Sequence, residues 1–200
     1  MNFGRRPGHA SLPAPTVSAP PNDPFAERIA TELQALGIAP GYGEQRQLAL
    51  QPEASELVTA RVLKDGRELK LAPATAHAWQ ALTTAAAAEN ITLLLISGFR
   101  SVAYQRSILD RKLAEGQTLE QILQVNAAPG FSEHHTGRAV DIGTPGCPPL
   151  TEAFEATLAF AWLARRAADF GFRLSFPRGN PHGVIYEPWH WRHHGRAGAL

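Results

Sequence analysis

A chain of 200 residues with a globular hydrophobic share of 44% is long enough for one domain with a proper core. Nineteen basic against eighteen acidic side chains leave no charge excess of the kind nucleic-acid binding draws on, so no nucleic-acid partner is expected. The single cysteine, Cys147, excludes an internal disulfide, and no stretch is apolar for long enough to span a membrane.

Taken in order, residues 1–24 hold six prolines and few large apolar side chains and read as a disordered, extended leader. Asp23 and Pro24 then offer a helix cap and first helical position. Phe25, Ile29, Leu33 and Leu36 follow at helical spacing until Gly37. Residues 40–51 read as loop. Two alternating runs, Glu56–Lys64 and Arg67–Leu71, flank Asp65-Gly66 and predict a hairpin. Residues 25–70 are thus expected to be a helix and hairpin extension of a core at 71–200. In that core Ala74–Asn90 reads as a helix carrying Trp79 and Leu82 inward. The apolar run Ile91–Ile96 reads as a central strand buried on both faces. Ser101 caps a helix to about Glu115, and Gln117–Val125 is a shorter one. Thr151–Phe170 reads as one long helix, Phe172–Phe176 as a strand, and Val184–Trp191 as the last strand. Mixed elements with hairpins and no regular βαβ repeat predict an α+β domain on a small, largely antiparallel sheet.

Within that order one decapeptide stands out, Ser132-Glu-His134-His-Thr-Gly137-Arg-Ala-Val-Asp141. His134 and Asp141 are both zinc-ligand types, and zinc needs its ligand atoms about 2 Å away. Their spacing would separate the backbones by about 10 Å on a helix or roughly 23 Å on a strand. The segment must therefore fold back, and Thr136-Gly137 is the place to bend. Val140-Asp141-Ile142 reads as a buried strand, in which an aspartate is costly unless it is paired or holds a metal. A second cluster, Tyr186-Glu187-Pro188-Trp189-His190-Trp191-Arg192, supplies a third ligand candidate and an acid. Two histidines, one aspartate and a spare glutamate complete the inventory of a catalytic zinc site, one ion per chain. On a regular strand Glu187 and His190 would face opposite ways, so a bend at Pro188 is required or the strand reading fails.

These two motifs, with Ser97-Gly-Phe-Arg100-Ser and Gln105 before them, resemble the zinc D-alanyl-D-alanine carboxypeptidase family, the VanY-type branch of the M15 peptidases. The resemblance spans about Leu71 to Gly195. It implies that His134, Asp141 and His190 hold zinc, that Glu187 is the catalytic base and that Arg100 meets the substrate carboxylate. Ser132 and Gln105 are candidates for holding the substrate. His135 and Arg138 depart from the family pattern, which has Gln and a small aliphatic residue there, and His193 stands where Tyr is usual. The implied activity is removal of the terminal D-amino acid from a peptidoglycan stem peptide by a monomeric, zinc-dependent, bacterial cell-wall hydrolase. L,D-carboxypeptidase, dipeptidase, wall-lytic endopeptidase and a non-catalytic zinc-stabilised binding module stay open as alternatives. A wall substrate lies outside the cytoplasm, yet no apolar run follows Arg5 and Arg6. Envelope, periplasm and cytoplasmic wall fragments all remain open as the place of action.

Overall fold

The computed structural model describes residues 23–195; the expected leader, apart from its last two positions, lies outside them. Helix α1 (Pro24–Ala35) starts where the Asp23 carboxylate accepts from the Phe25 N–H at 2.9 Å. One further helical turn, α2 (Tyr42–Gln45), stands in the stretch expected to be loop. Gly41 at φ 80° leads into it, and the buried Tyr42 hydroxyl anchors it by accepting from the Ala128 N–H at 3.1 Å. Strands β1 (Val58–Val62) and β2 (Glu68–Leu71) form the expected antiparallel hairpin, with a register shift between Thr59 and Arg61. Helix α3 (Pro73–Ala88) buries Thr75, Trp79, Leu82 and Ala86, the inward stripe its spacing predicts.

Four strands make the main sheet: β3 (Leu94–Ser97), β4 (Ala139–Gly143), β5 (Phe172–Leu174) and β6 (His190–His193). Their order is β3-β4-β6-β5 and every pair is antiparallel, so the α+β expectation holds. The run at 91–96 is nevertheless misread by its apolarity, for β3 is an edge strand and begins only at Leu94. The hairpin covers that edge. Arg61 Nη1 donates to Leu95 O at 2.6 Å, and the Phe99 N–H donates to Lys70 O at 2.8 Å.

Helix α4 (Val102–Ala114) is capped by Ser101, whose hydroxyl accepts from the Tyr104 N–H, and α5 (Leu119–Val125) opens with a capping box between Thr118 and Gln121. Ile29, Leu33 and Tyr42 pack with Val102, Leu109, Ile122 and Phe131 in one apolar cluster. A second, larger cluster joins Trp79, Leu82, Leu95, Val140, Ile142, Phe154, Trp162 and Phe172 between sheet and helices.

Two further expectations need correction. Thr151–Phe170 is not one helix: α6 spans Leu158–Arg166, with 3₁₀ turns at Glu152–Ala156 and Ala167–Phe170 on either side. Thr157 interrupts it, extended at ψ 153°, with its hydroxyl accepting from the Phe160 N–H as a cap for α6. The last strand starts at His190 rather than Val184. Strand β6 has a hydrogen-bonded partner on each side, and Pro188 has no N–H to offer to such a ladder. The chain turns there instead, with the His190 N–H donating to Glu187 O at 3.0 Å.

Candidate active site

The site is built on the β4–β6 pairing. Its register sets Asp141 directly opposite His190, so both side chains rise from the same face at the middle of the sheet. His134 arrives from a 3₁₀ turn, Glu133–Thr136, which Gly137 ends at φ 63°. A Cβ on Gly137 would lie 2.8 Å from the Ala72 nitrogen, so the fold-back that the sequence calls for depends on glycine twice over. His134 Nδ1 sits 2.7 Å from Gly98 O, which fixes it as a donor and aims Nε2 at the aspartate.

Nε2 of His134 lies 3.3 Å from one Asp141 oxygen, and Nδ1 of His190 lies 3.1 Å from the other. The candidate ligand atoms of the three residues all fall within 4.8 Å of one another. Ligands about 2.0–2.1 Å from a tetrahedral zinc ion are about 3.4 Å apart, so this donor set fits the ion. His134 Nε2 is also buried without a hydrogen-bond partner, an orphan that a metal would satisfy.

The surroundings shift the two imidazoles in opposite directions. Burial, reinforced by Arg100, lowers the His134 pKa to about 4, leaving a neutral ring. Burial opposes charge on His190 too, but hydrogen bonds to Asp141 and Glu133 outweigh it and raise that pKa to about 10. Burial would likewise raise Asp141, yet the two histidines hold its carboxyl well below the usual range.

Glu187 stands beside this group, with Oε2 at 3.7 Å from His190 Nδ1. Burial pushes its pKa up to about 7 against the pull of the His190 charge. Arg100 follows β3 at the mouth of α4. Its Nη1 donates to Gln105 Oε1 at 3.2 Å, and Nη2 lies 3.8 Å from Asp141. Gln105 is buried and donates its amide to Ala127 O at 2.8 Å, so its polar ends serve Arg100 and the backbone. Ser132 is buried and lines the small cavity between His134 and His190. Trp189 and Trp191 are both core residues, and Trp189 also faces the groove beside the site.

Two residues with central positions had no site role in the sequence reading. Glu133 Oε2 lies 2.9 Å from His190 Nε2 and accepts from Ser175 Oγ at 2.6 Å, while Oε1 accepts from Arg192 at 2.9 Å. Arg192 therefore pairs with Glu133. A carboxylate on the far nitrogen of His190 fixes the ring so that Nδ1 faces Asp141. The signal was available: Glu133 adjoins a ligand candidate. Its partners, however, lie 42 to 59 positions away. His135, one of the departures from the family pattern, is fully buried; its Nδ1 lies 2.6 Å from Arg100 O and its Nε2 accepts from the Gly130 N–H at 3.1 Å. It thereby braces the backbone that carries Arg100.

The chain belongs to the VanY family of D-alanyl-D-alanine carboxypeptidases, whose model matches residues 68–196. It is 31% identical over 137 residues to VanXYC of Enterococcus gallinarum, a bifunctional D-Ala-D-Ala dipeptidase and carboxypeptidase, covering 64% of this chain and 69% of that one. A D-alanyl-D-alanine carboxypeptidase of Enterococcus faecalis is 34% identical over 126 residues, which cover 58% of this chain and 45% of that enzyme. This chain therefore matches less than half of the latter's length. Among solved structures, the LdcB LD-carboxypeptidase superposes with a TM-score of 0.64 at 32% identity, covering 72% of this chain and 70% of that one. A D,D-pentapeptidase VanY variant in complex with Zn(II) gives 0.57 at 31% identity, over 72% of this chain and 81% of that one.

Proposed function

We propose that this protein is a zinc-dependent carboxypeptidase that removes the C-terminal D-amino acid from peptidoglycan stem peptides. The observation that carries the reading is the convergence of His134, Asp141 and His190 with a buried spare acid, Glu187, and a carboxylate-matched cation, Arg100. A zinc ion on those three ligands supplies an acidified water and a Lewis acid for the scissile carbonyl. Glu187, buried beside the three ligand candidates, is placed to take a proton from the attacking water and hand it to the leaving amine. Arg100 makes parallel hydrogen bonds to the substrate's terminal carboxylate, and Gln105 holds the fork in place. Ser132 supports the substrate from the floor of the cavity.

Residues 25–70 brace the core that follows them in this reading. Glu53 accepts from the Val102 N–H at the start of α4, and Gln51 accepts from Arg192 at 3.0 Å. A groove of about 640 Å³ runs on from Arg100, Asp141 and Glu187, which favours a substrate that continues upstream of the cut over a free dipeptide.

The test is incubation of the zinc-loaded protein with defined tetra- and pentapeptide muropeptides, read by mass. Loss of one C-terminal residue is expected; release of a dipeptide, or cleavage of cross-linked material alone, would overturn the assignment. The metal assignment is checked separately. Zinc content is expected at about one per chain, lost in His190→Ala, whereas Glu133→Ala weakens zinc affinity by about 10- to 100-fold in a chelator competition. Full zinc occupancy in His190→Ala would remove it from the ligand set.

A further inference from the structure

We infer that the groove selects peptides bearing a second carboxylate upstream of the free C-terminus, and that Lys112 is the residue that binds it. The inference rests on the proposed carboxypeptidase reading and adds a substrate class to it.

Helix α4 forms one wall of the groove. Tyr104, Ile108 and Lys112 line it at four-residue spacing, so they share a helix face. Lys112 lies ten residues beyond the first residue of α4, which corresponds to about 15 Å of helix axis. An extended peptide advances about 3.3 Å per residue. With the terminal carboxylate on Arg100, the flexible stem of Lys112 can reach back to side chains two to four residues upstream.

The apolar part of the wall indicates a binding surface. Tyr104, Val125, Leu150 and Ile185 are four of the seven large hydrophobic side chains left exposed among the described residues, and all four line this groove. Apolar side chains gathered in one place mark a contact surface, where scattered ones would not.

The charges define what that surface accepts. Asp141, Glu187 and Arg100 belong to the site described above. Arg67 pairs with Asp65 at 2.7 Å, and Glu68 pairs with Lys70 at 3.1 Å. Lys112 is half-buried and, among the described residues, has no carboxylate within 4.0 Å. Glu115 acts on it electrostatically, but that acid pairs with Arg111. Desolvation, with Arg111 and Arg100 nearby, also works against its positive charge. An anion brought in by the substrate relieves that penalty, whereas a neutral or cationic side chain leaves it in place.

The experiment compares two pentapeptides that differ in one group: the third residue from the C-terminus carries either a side-chain carboxylate or its amide. Zinc-loaded wild type, Lys112→Met and Lys112→Arg are assayed on both. Wild type is expected to prefer the acid by about tenfold in kcat/KM, mostly through KM. That ratio should fall to about one in Lys112→Met and be largely retained in Lys112→Arg. Equal use of the two peptides by wild type, or a preference that survives in Lys112→Met, would overturn the inference. If wild type cleaves neither peptide, the proposed reaction fails instead, and fluorescence anisotropy with labelled forms of the same peptides decides the inference. Tighter binding of the acid that disappears in Lys112→Met supports it; equal binding sinks it.

Discussion

Glu187→Ala is expected to lower kcat by about 10²-fold or more while zinc content stays at about one per chain. The expectation follows from where the carboxyl sits: next to the candidate ligands, within 3.7 Å of His190, yet outside the three-residue set that gathers around Asp141. Removing a ligand would cost metal and turnover together; removing the base should cost turnover alone. Folding should not suffer either. Burial raises the Glu187 pKa from 4.5 to about 7, so its charge weighs against the folded state. That cost is absent below the unfolded pKa and grows as pH rises through the folded one. Zinc-free Glu187→Gln is therefore expected to melt at or above wild type at pH values above about 7. Wild-type turnover in Glu187→Ala would remove it from the chemistry and put another base in its place.

The second large effect concerns Arg100. If its guanidinium grips the terminal carboxylate, amidating that terminus should reduce kcat/KM by roughly 10²-fold or more, although the scissile bond is unchanged. Gln105 Oε1 at 3.2 Å and Asp141 at 3.8 Å already orient the fork, and its Nε is buried without a partner. An ammonium cannot reproduce that planar arrangement. Arg100→Lys should therefore lose most of its activity on the free acid while changing little on the already poor amide. Equal cleavage of acid and amide by wild type would mean that no carboxylate clamp exists, and an internal wall cross-link would become the better substrate.

How much of this was legible beforehand differs from element to element. Caps were readable because they are local: Asp23 and Ser101 each bond to an N–H two or three positions on, whereas Thr118, an equally local cap, was passed over by a helix reading that began at Gln117. Asp65-Gly66 announced the hairpin in the same way. Thr157 carried an equally local signal, and the long-helix reading passed over it in favour of apolar spacing. Pro188 was another, since a strand with neighbours on both sides has no place for a residue lacking an N–H.

The sequence by itself determined the inventory: which side chains can ligate, which acid is spare, where the chain must fold back, and that the sheet is antiparallel. Tertiary structure alone decided their convergence. The side-chain face of a strand alternates with every residue, so a slip of one in the β4–β6 register would turn either Asp141 or His190 away. That register joins positions 49 residues apart, and no local periodicity encodes it. The edge position of β3 is hidden for a related reason. A strand covered along its edge by a hairpin can be as apolar as one at the centre. Glu133 is the clearest case. As a sequence position it is one acid among eighteen; its hold on His190 exists only because Ser175, Arg192 and His190 are folded around it.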